Sequence, residues 1–223
     1  MPTKHISVPP ERLERWLAGF IDRHGPADHS VTPDTVTVRA ADGSQARCRV
    51  PFAPLARHEG VPYAGLIEHA CRDRTVGVVL VRRGGYAAGV FDGRTLLDSK
   101  VGSRHVQGRT AAGGQSQQRF ARRRDKQARE AFGAAADVAA RILLPHLASL
   151  DAVVCGGDRA AVSQVLADSR LQPVRNLVVP PHLPVPVPKL MVLRKTPDTF
   201  RAIQITLTEA DPVGDTPVPA AED

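Results

Sequence analysis

Apolar residues recur at three- and four-residue spacing over Leu13, Trp16, Leu17, Phe20 and Ile21, which predicts an amphipathic helix. Pro9 and Pro10 stand at its start and Gly25-Pro26 at its end, as helix boundaries require. Trp16 lies on the apolar stripe and reads as core rather than as a platform for a base. Two alternating runs follow, Val36/Val38/Ala40 and Ala46/Cys48/Val50. Asp42-Gly43 between them tolerates the positive φ of a hairpin turn. Pro51, Pro54 and Pro62 mark an irregular connection, and a short helix is expected around residues 66–71.

From residue 75 the pattern is a meander. Residues 76–81 form an apolar strand, Gly84-Gly85 turns, residues 86–91 form a second strand, Asp92-Gly93 turns again, and residues 95–101 form a third. The unbroken run Val78-Val79-Leu80-Val81 suggests a strand buried on both faces. Residues 102–118 have almost no large apolar side chain and contain four glycines, and structureless stretches of this length are uncommon outside functional loops. A helix is then expected from Ser116 or Gln117 to about Leu144, ended by Pro145. Its buried stripe is Phe120, Ala128, Ala131, Ala135, Val138 and Ile142. Another apolar strand covers residues 150–155, and Asp158 is placed to cap a helix over 159–167. Residues 177–179 suggest a short strand, 180–188 a polyproline connection, and 191–193 and 202–207 late strands. Residues 209–223 hold five acids and no bases and read as a disordered tail. No internal repeat is visible. The expected organisation is an N-terminal extension over 1–72, an α/β domain over 73–208 and the acidic tail over 209–223.

Composition narrows the class. The chain has 223 residues, 42% hydrophobic and 24% charged, which suffices for one good core or a core with a small appended subdomain. No apolar run approaches the about 18 residues of a bilayer-spanning helix, and the first ten residues lack a leader pattern, so a soluble cytoplasmic protein with no membrane partner is expected. Cys48, Cys71 and Cys155 are scattered, form no Cys-x-x-Cys pair, and each reads as a small buried apolar residue.

Charge placement is more informative than the net value of +7. Residues 100–129 carry nine bases, Lys100, Arg104, Arg109, Arg119, Arg122, Arg123, Arg124, Lys126 and Arg129, against the single acid Asp125. That stretch is therefore +8 and the remainder −1. One basic stripe on a near-neutral body suggests a polyanion bound at one place. A solvated helix face would interleave glutamates, and here they are missing. Arg119, Arg122, Arg123 and Lys126 fall at i, i+3, i+4 and i+7, on a different face from the apolar stripe. Arg124 leans toward the buried face and is read as a snorkelling side chain.

The same region carries a motif. The run Thr110-Ala111-Ala112-Gly113-Gly114-Gln115-Ser116-Gln117-Gln118-Arg119-Phe120-Ala121-Arg122 closely resembles the catalytic loop and following helix of eukaryotic and archaeal class-I peptide release factors. The meander before it, the long helix after it and the strand ending Ala-Val-Val-Cys-Gly-Gly match too, so the resemblance covers about residues 75–174. The segment before residue 75 is too short for a codon-reading domain, and no further C-terminal domain follows. The chain resembles instead the Vms-like release factors, in their actinobacterial branch of peptidyl-tRNA hydrolases, whose eukaryotic relatives act in ribosome quality control. The resemblance implies an α/β fold with a mixed sheet of RNase H-like topology, a long basic helix after the catalytic loop, and a small N-terminal α+β extension. It implies codon-independent action on the large ribosomal subunit, with the peptidyl-tRNA acceptor end and rRNA as partners. Ankyrin and zinc-finger parts of the eukaryotic proteins have no counterpart here, so their partner contacts are not carried over.

The chemistry fits these residue types. A peptidyl-tRNA ester is already activated, so a catalyst must mainly place water and stabilise the oxyanion. Gly113 and Gly114 are slim and conformationally free, and can bring the Gln115 N–H to an ester inside a narrow RNA cavity. The resemblance gives that N–H a role at the terminal ribose hydroxyl or the oxyanion, and has the Gln115 side chain orient water. A neutral amide has no proton to lose near neutrality, so it positions rather than relays. Arg109, Arg119, Arg122, Arg123, Lys126 and Arg129 are the candidate RNA-binding residues. No cofactor and no metal are expected: Asp92 and Asp98 read as turn and surface residues, and residues 99–124 contain no Asp or Glu for a two-metal site. His105 has no nearby acid to orient it as a base, and Ser116 reads as a helix cap rather than a nucleophile. Two alternatives stay open, a metal-free nuclease cutting near the tRNA acceptor end and a non-enzymatic ribosome-associated RNA-binding factor.

Overall fold

The computed structural model describes residues 2–56, 60–82, 84–103 and 116–210, with side chains in 116–128 only at 127. The chain divides into two compact units, Met1–Ala70 with Ile203–Asp223, and Cys71–Ala202.

The first unit opens with β1 (Thr3–Val8), a 3-10 turn at Pro10–Arg12 and α1 (Leu13–His24). Three strands follow, β2 (Ala27–Val31), β3 (Thr35–Ala40) and β4 (Gln45–Arg49), then α2 (Leu66–Cys71). Leu13, Leu17 and Phe20 of α1 are buried in one cluster with Val8, Val36, Val38, Ala46 and Cys48, as the sequence periodicity requires. Trp16 is partly buried against that cluster and stacks on Phe20 at 6.0 Å. Gly25, at φ 85, ends α1 and donates its N–H to Ile21 O at 2.8 Å. Tyr63 and Ala64 take left-handed φ values of 52 and 51 before Gly65 at 82, a conformation that costs a residue with a Cβ about 1–2 kcal/mol.

The second unit begins with β5 (Thr75–Arg82), β6 (Gly85–Asp92) and β7 (Thr95–Gly102), then α3 (Ser116–Leu143). A 3-10 turn at Leu144–Ser149 leads to β8 (Ala152–Gly157), α4 (Arg159–Leu166), α5 (Gln172–Asn176), β9 (Val178–Leu183), α6 (Leu190–Arg194) and α7 (Pro197–Phe200). The sheet order is β7-β6-β5-β8-β9. The first three strands are antiparallel, β8 runs parallel to β5, and β9 parallel to β8. This is the mixed sheet of RNase H-like order expected from the sequence. Residues 76–81 of β5 are all buried, as their unbroken apolar run implies. Asp158 caps α4, accepting from Ala161 N at 3.1 Å.

α3 packs its Ala135, Ala136, Ala139, Ala140, Ile142 and Leu143 into a cluster with Val79, Val81, Ala88, Val90 and Val153. Small alanines let the helix lie close to the sheet. The Arg129–Ser149 stretch is long and apolar enough, by length and composition alone, to cross a bilayer, and a third of it is buried inside the protein. Its apolar face belongs to this core, while Asp137 and Arg141 are exposed. On β6, Gly89 leaves room for Leu193 of α6, and Phe91 meets Phe200 of α7 edge-on at 5.9 Å.

β10 (Ile203–Thr208) returns to the first unit, pairing with β1 on one side and β4 on the other, so that sheet reads β1-β10-β4-β3-β2. The sequence pattern groups residues 203–208 with the α/β domain instead, because a strand does not announce its partner. β1 and β2 carry no sequence signal. Both are edge strands with mostly exposed side chains and no apolar alternation. Residues 191–193, strand-like in the sequence, are helical in α6, a short apolar run being ambiguous by period. Cys71 is exposed, whereas Cys48 and Cys155 are buried as expected, their thiols pushed up to about 12 by burial. Residues 211–223 of the acidic tail lie outside the described residues.

Candidate functional site

Gly113, Gly114 and Gln115, with Arg109 and His105, lie outside the described residues, and so do the side chains of Arg119, Arg122, Arg123, Arg124 and Lys126. The two ends between which they lie are described: the end of β7, an edge strand, and the start of α3.

The last residue of β7 lies against an aromatic ring. Gly102, its last residue, stands opposite Tyr86 in the register. A Cβ on Gly102 would overlap the outer edge of the Tyr86 side chain. A larger residue there requires the ring to shift, and Tyr86 itself is partly buried against the core cluster beneath α3. Nothing in the local sequence marks this pair, because the partners are brought together by strand register alone.

Two further β7 residues share that face. Lys100 pairs with Ala88 and Asp98 with Val90, both members of the cluster against α3. Cross-strand partners point to the same side of a sheet, so exposed Lys100 adds its charge to the α3 side. The Asp98 carboxylate stands 4.0 Å from Nε2 of His146, in the turn after α3. Asp92 is exposed at the end of β6. Among the described residues no three His, Cys, Asp or Glu side chains gather as a metal site would need.

At the other end of the connection, α3 starts at Ser116, the residue after Gln115. Its first turn contains no acid. The unpaired N–H groups and partial positive charge of the helix start are therefore not neutralised by a carboxylate of that turn. α3 is 28 residues long, about 42 Å at 1.5 Å per residue. Its first described buried side chain is Ala135. Positions 119, 122, 123 and 126 thus precede the part shown to be anchored in the core, and Arg129 is exposed.

An ion cluster holds the anchored half. Arg170 Nη2 donates to Asp137 Oδ1 of α3 at 2.8 Å and to Asp168 Oδ2 at 2.7 Å, and its Nε donates to Asp168 Oδ1 at 2.9 Å. The Arg170 side-chain hydrogen bonds, with its backbone N–H, hold the Asp168 carboxyl down at about 2. Arg170 and Asp137 are exposed and Asp168 is half-buried, so the cluster orients more than it stabilises. Sequence reasoning misses it. Asp168 and Arg170 are two apart, but nothing local points to Asp137.

Comparison with known proteins supplies the family. The family model for the Actinobacteria/chloroflexi VLRF1 release factor matches residues 74–206. No curated protein sequence matches the chain. Among solved structures, the chain is similar to one described as "Vms1 mitochondrial localization core", with 10% identity, TM-score 0.45, and 87% of this chain and 80% of that one covered. It is similar also to the archaeal translation termination factor aRF1, with 15% identity, TM-score 0.43, and 86% and 62% covered. The chain thus spans about three fifths of the length of that factor. The family match gives it a release-factor-like role in translation and an interaction with the ribosome. Because the match extends over more than half of its residues, the chain belongs to the Actinobacteria/chloroflexi VLRF1 release-factor family.

Proposed function

We propose that the protein is a codon-independent peptidyl-tRNA hydrolase acting on the large ribosomal subunit. The observation that carries this reading is the sequence Gly113-Gly114-Gln115 immediately before the positive end of α3, in a chain of the VLRF1 release-factor family. In this reading Gly113 and Gly114 let the backbone enter the peptidyl transferase cavity without side-chain bulk. The Gln115 N–H stabilises the charge that develops as water attacks the ester carbon. Its side-chain amide holds that water, and tRNA ribose hydroxyls carry the proton.

Arg109, Arg119, Arg122, Arg123, Lys126 and Arg129 hold rRNA or the tRNA acceptor end. Contacts of this kind fix position and carry no sequence information, which suits a factor that reads no codon. The working compartment is the cytoplasm, where ribosomes carry the substrate. No cofactor is invoked.

The test is incubation of purified protein with large subunits carrying peptidyl-tRNA, followed at both the peptide and the RNA end. Free peptide with an intact acceptor end is the expected result. A shortened acceptor end would replace ester hydrolysis by metal-free nuclease action. Binding without release would leave an RNA-binding factor only.

A further inference from the structure

The first unit carries an open groove of about 560 Å3 between α1 and the segment leading into α2. One wall is a stripe of α1, Glu14, Ala18, Ile21 and Asp22, at the i, i+4, i+7 and i+8 spacing of a single helix face. The other wall runs through Val61 and Tyr63 to Ile67 and Glu68. Ile21, Tyr63 and Ile67 are half-buried in it, and Ala18 and Val61 are exposed. The left-handed turn at Tyr63, Ala64 and Gly65 shapes this wall.

The charged side chains that line the groove, among the described residues, are all carboxylates: Glu14, Asp22 and Glu68. The chain as a whole is +7, so this rim runs against the sign of the molecule. A phosphodiester backbone is repelled there. So is the chain's own stretch 209–223, with five acids and no bases. An apolar trough with an anionic rim suits an amphipathic helix whose apolar stripe is flanked by Lys and Arg. We infer that this groove docks a cationic amphipathic helix of a protein partner, a contact separate from the basic stripe that meets RNA.

The probe is a fluorescent synthetic peptide with leucines at helical spacing and arginines beside them, titrated into the full-length protein by anisotropy. Saturable binding is expected. Ala18→Arg, which fills the trough from an exposed helix position, is expected to weaken it by about tenfold. The double variant Glu14→Gln/Glu68→Gln is expected to weaken it and flatten its salt dependence, which keeps the test alive should Ala18→Arg misfold by circular dichroism. Equal affinity for a peptide whose leucines are replaced by serine would overturn the proposal, as would unchanged binding in both variants. Displacement of the peptide by a single-stranded RNA oligonucleotide would reassign the groove to RNA. Self-association that Ala18→Arg abolishes would reassign it to a second copy of this chain.

Discussion

The ring of Tyr86 fills the space into which a side chain at Gly102 would project. Strand register puts the two residues opposite each other at the last step of β7 before the connection that carries Gly113 to Gln115. The residue at the last step of β7 is therefore constrained by a ring on the neighbouring strand.

Gly102→Ala is expected to destabilise the fold by about 1–3 kcal/mol, the usual cost of overpacking. Adding Tyr86→Ala should restore part of that loss, although Tyr86→Ala alone destabilises by stripping packing from the core. A denaturant double-mutant cycle measures the coupling. Strict additivity of the two substitutions would show that the ring does not hold this position.

Gly157→Ala is expected to cost more, roughly 2–4 kcal/mol. Gly157 sits at φ 96, and a Cβ there would run into the Val81 backbone carbonyl rather than into a side chain able to swing away. Urea unfolding should place this variant well below Gly102→Ala. Equal midpoints would refute a backbone clash at Gly157.

Gly113→Ala and Gly114→Ala are each expected to lower peptide release by about 10²-fold or more, the range for loss of an oxyanion donor, while large-subunit binding persists. Gln115→Ala should lose less, because its backbone N–H survives. Single-turnover release and subunit co-sedimentation separate the two effects. Wild-type release with either alanine in place would remove the loop from catalysis.

Arg122→Gln with Arg123→Gln is expected to weaken large-subunit binding and reduce its salt slope by roughly 0.7–0.9 for each phosphate no longer neutralised. Dissociation constants across a salt series measure it. An unchanged slope with weaker binding would point to a packing role instead.

Asp168 supplies a pH test. Its carboxyl is held down to about 2, against an ordinary 3.8, by Arg170. A depressed folded value means the stabilising contribution is full above 3.8 and is lost as pH falls through about 2. The denaturant-midpoint gap between wild type and Asp168→Asn should be constant above about pH 5 and close below it. A gap still at its full size near pH 2, or absent at about pH 7, would contradict the hydrogen-bonded geometry.

The elements with strong periodicity are legible in the sequence. α1, the β3–β4 hairpin, the β5–β6–β7 meander, α3 and the Asp158 cap of α4 all appear where the pattern places them. Leu13, Leu17 and Phe20 show why: burial on one helix face repeats every three or four residues, and that repeat survives in the sequence. β1 and β2 show the converse. At a sheet edge too few side chains are buried to leave a period. α6 is illegible for a related reason, since its five residues are too short for a period of 3.6 to differ from a strand.

By itself the sequence determined the order of these elements, the concentration of charge between residues 100 and 129, and the Gly-Gly-Gln motif that points to the family, because each is a local property of neighbouring residues. Tertiary structure alone decided which strands share a sheet. It sent β10 back to β1 and β4, set Tyr86 over Gly102, and joined Asp137 to Arg170. Those partners are far apart along the chain, and a contact of that kind exists only once loop-closure entropy has been overcome by the burial of both sides.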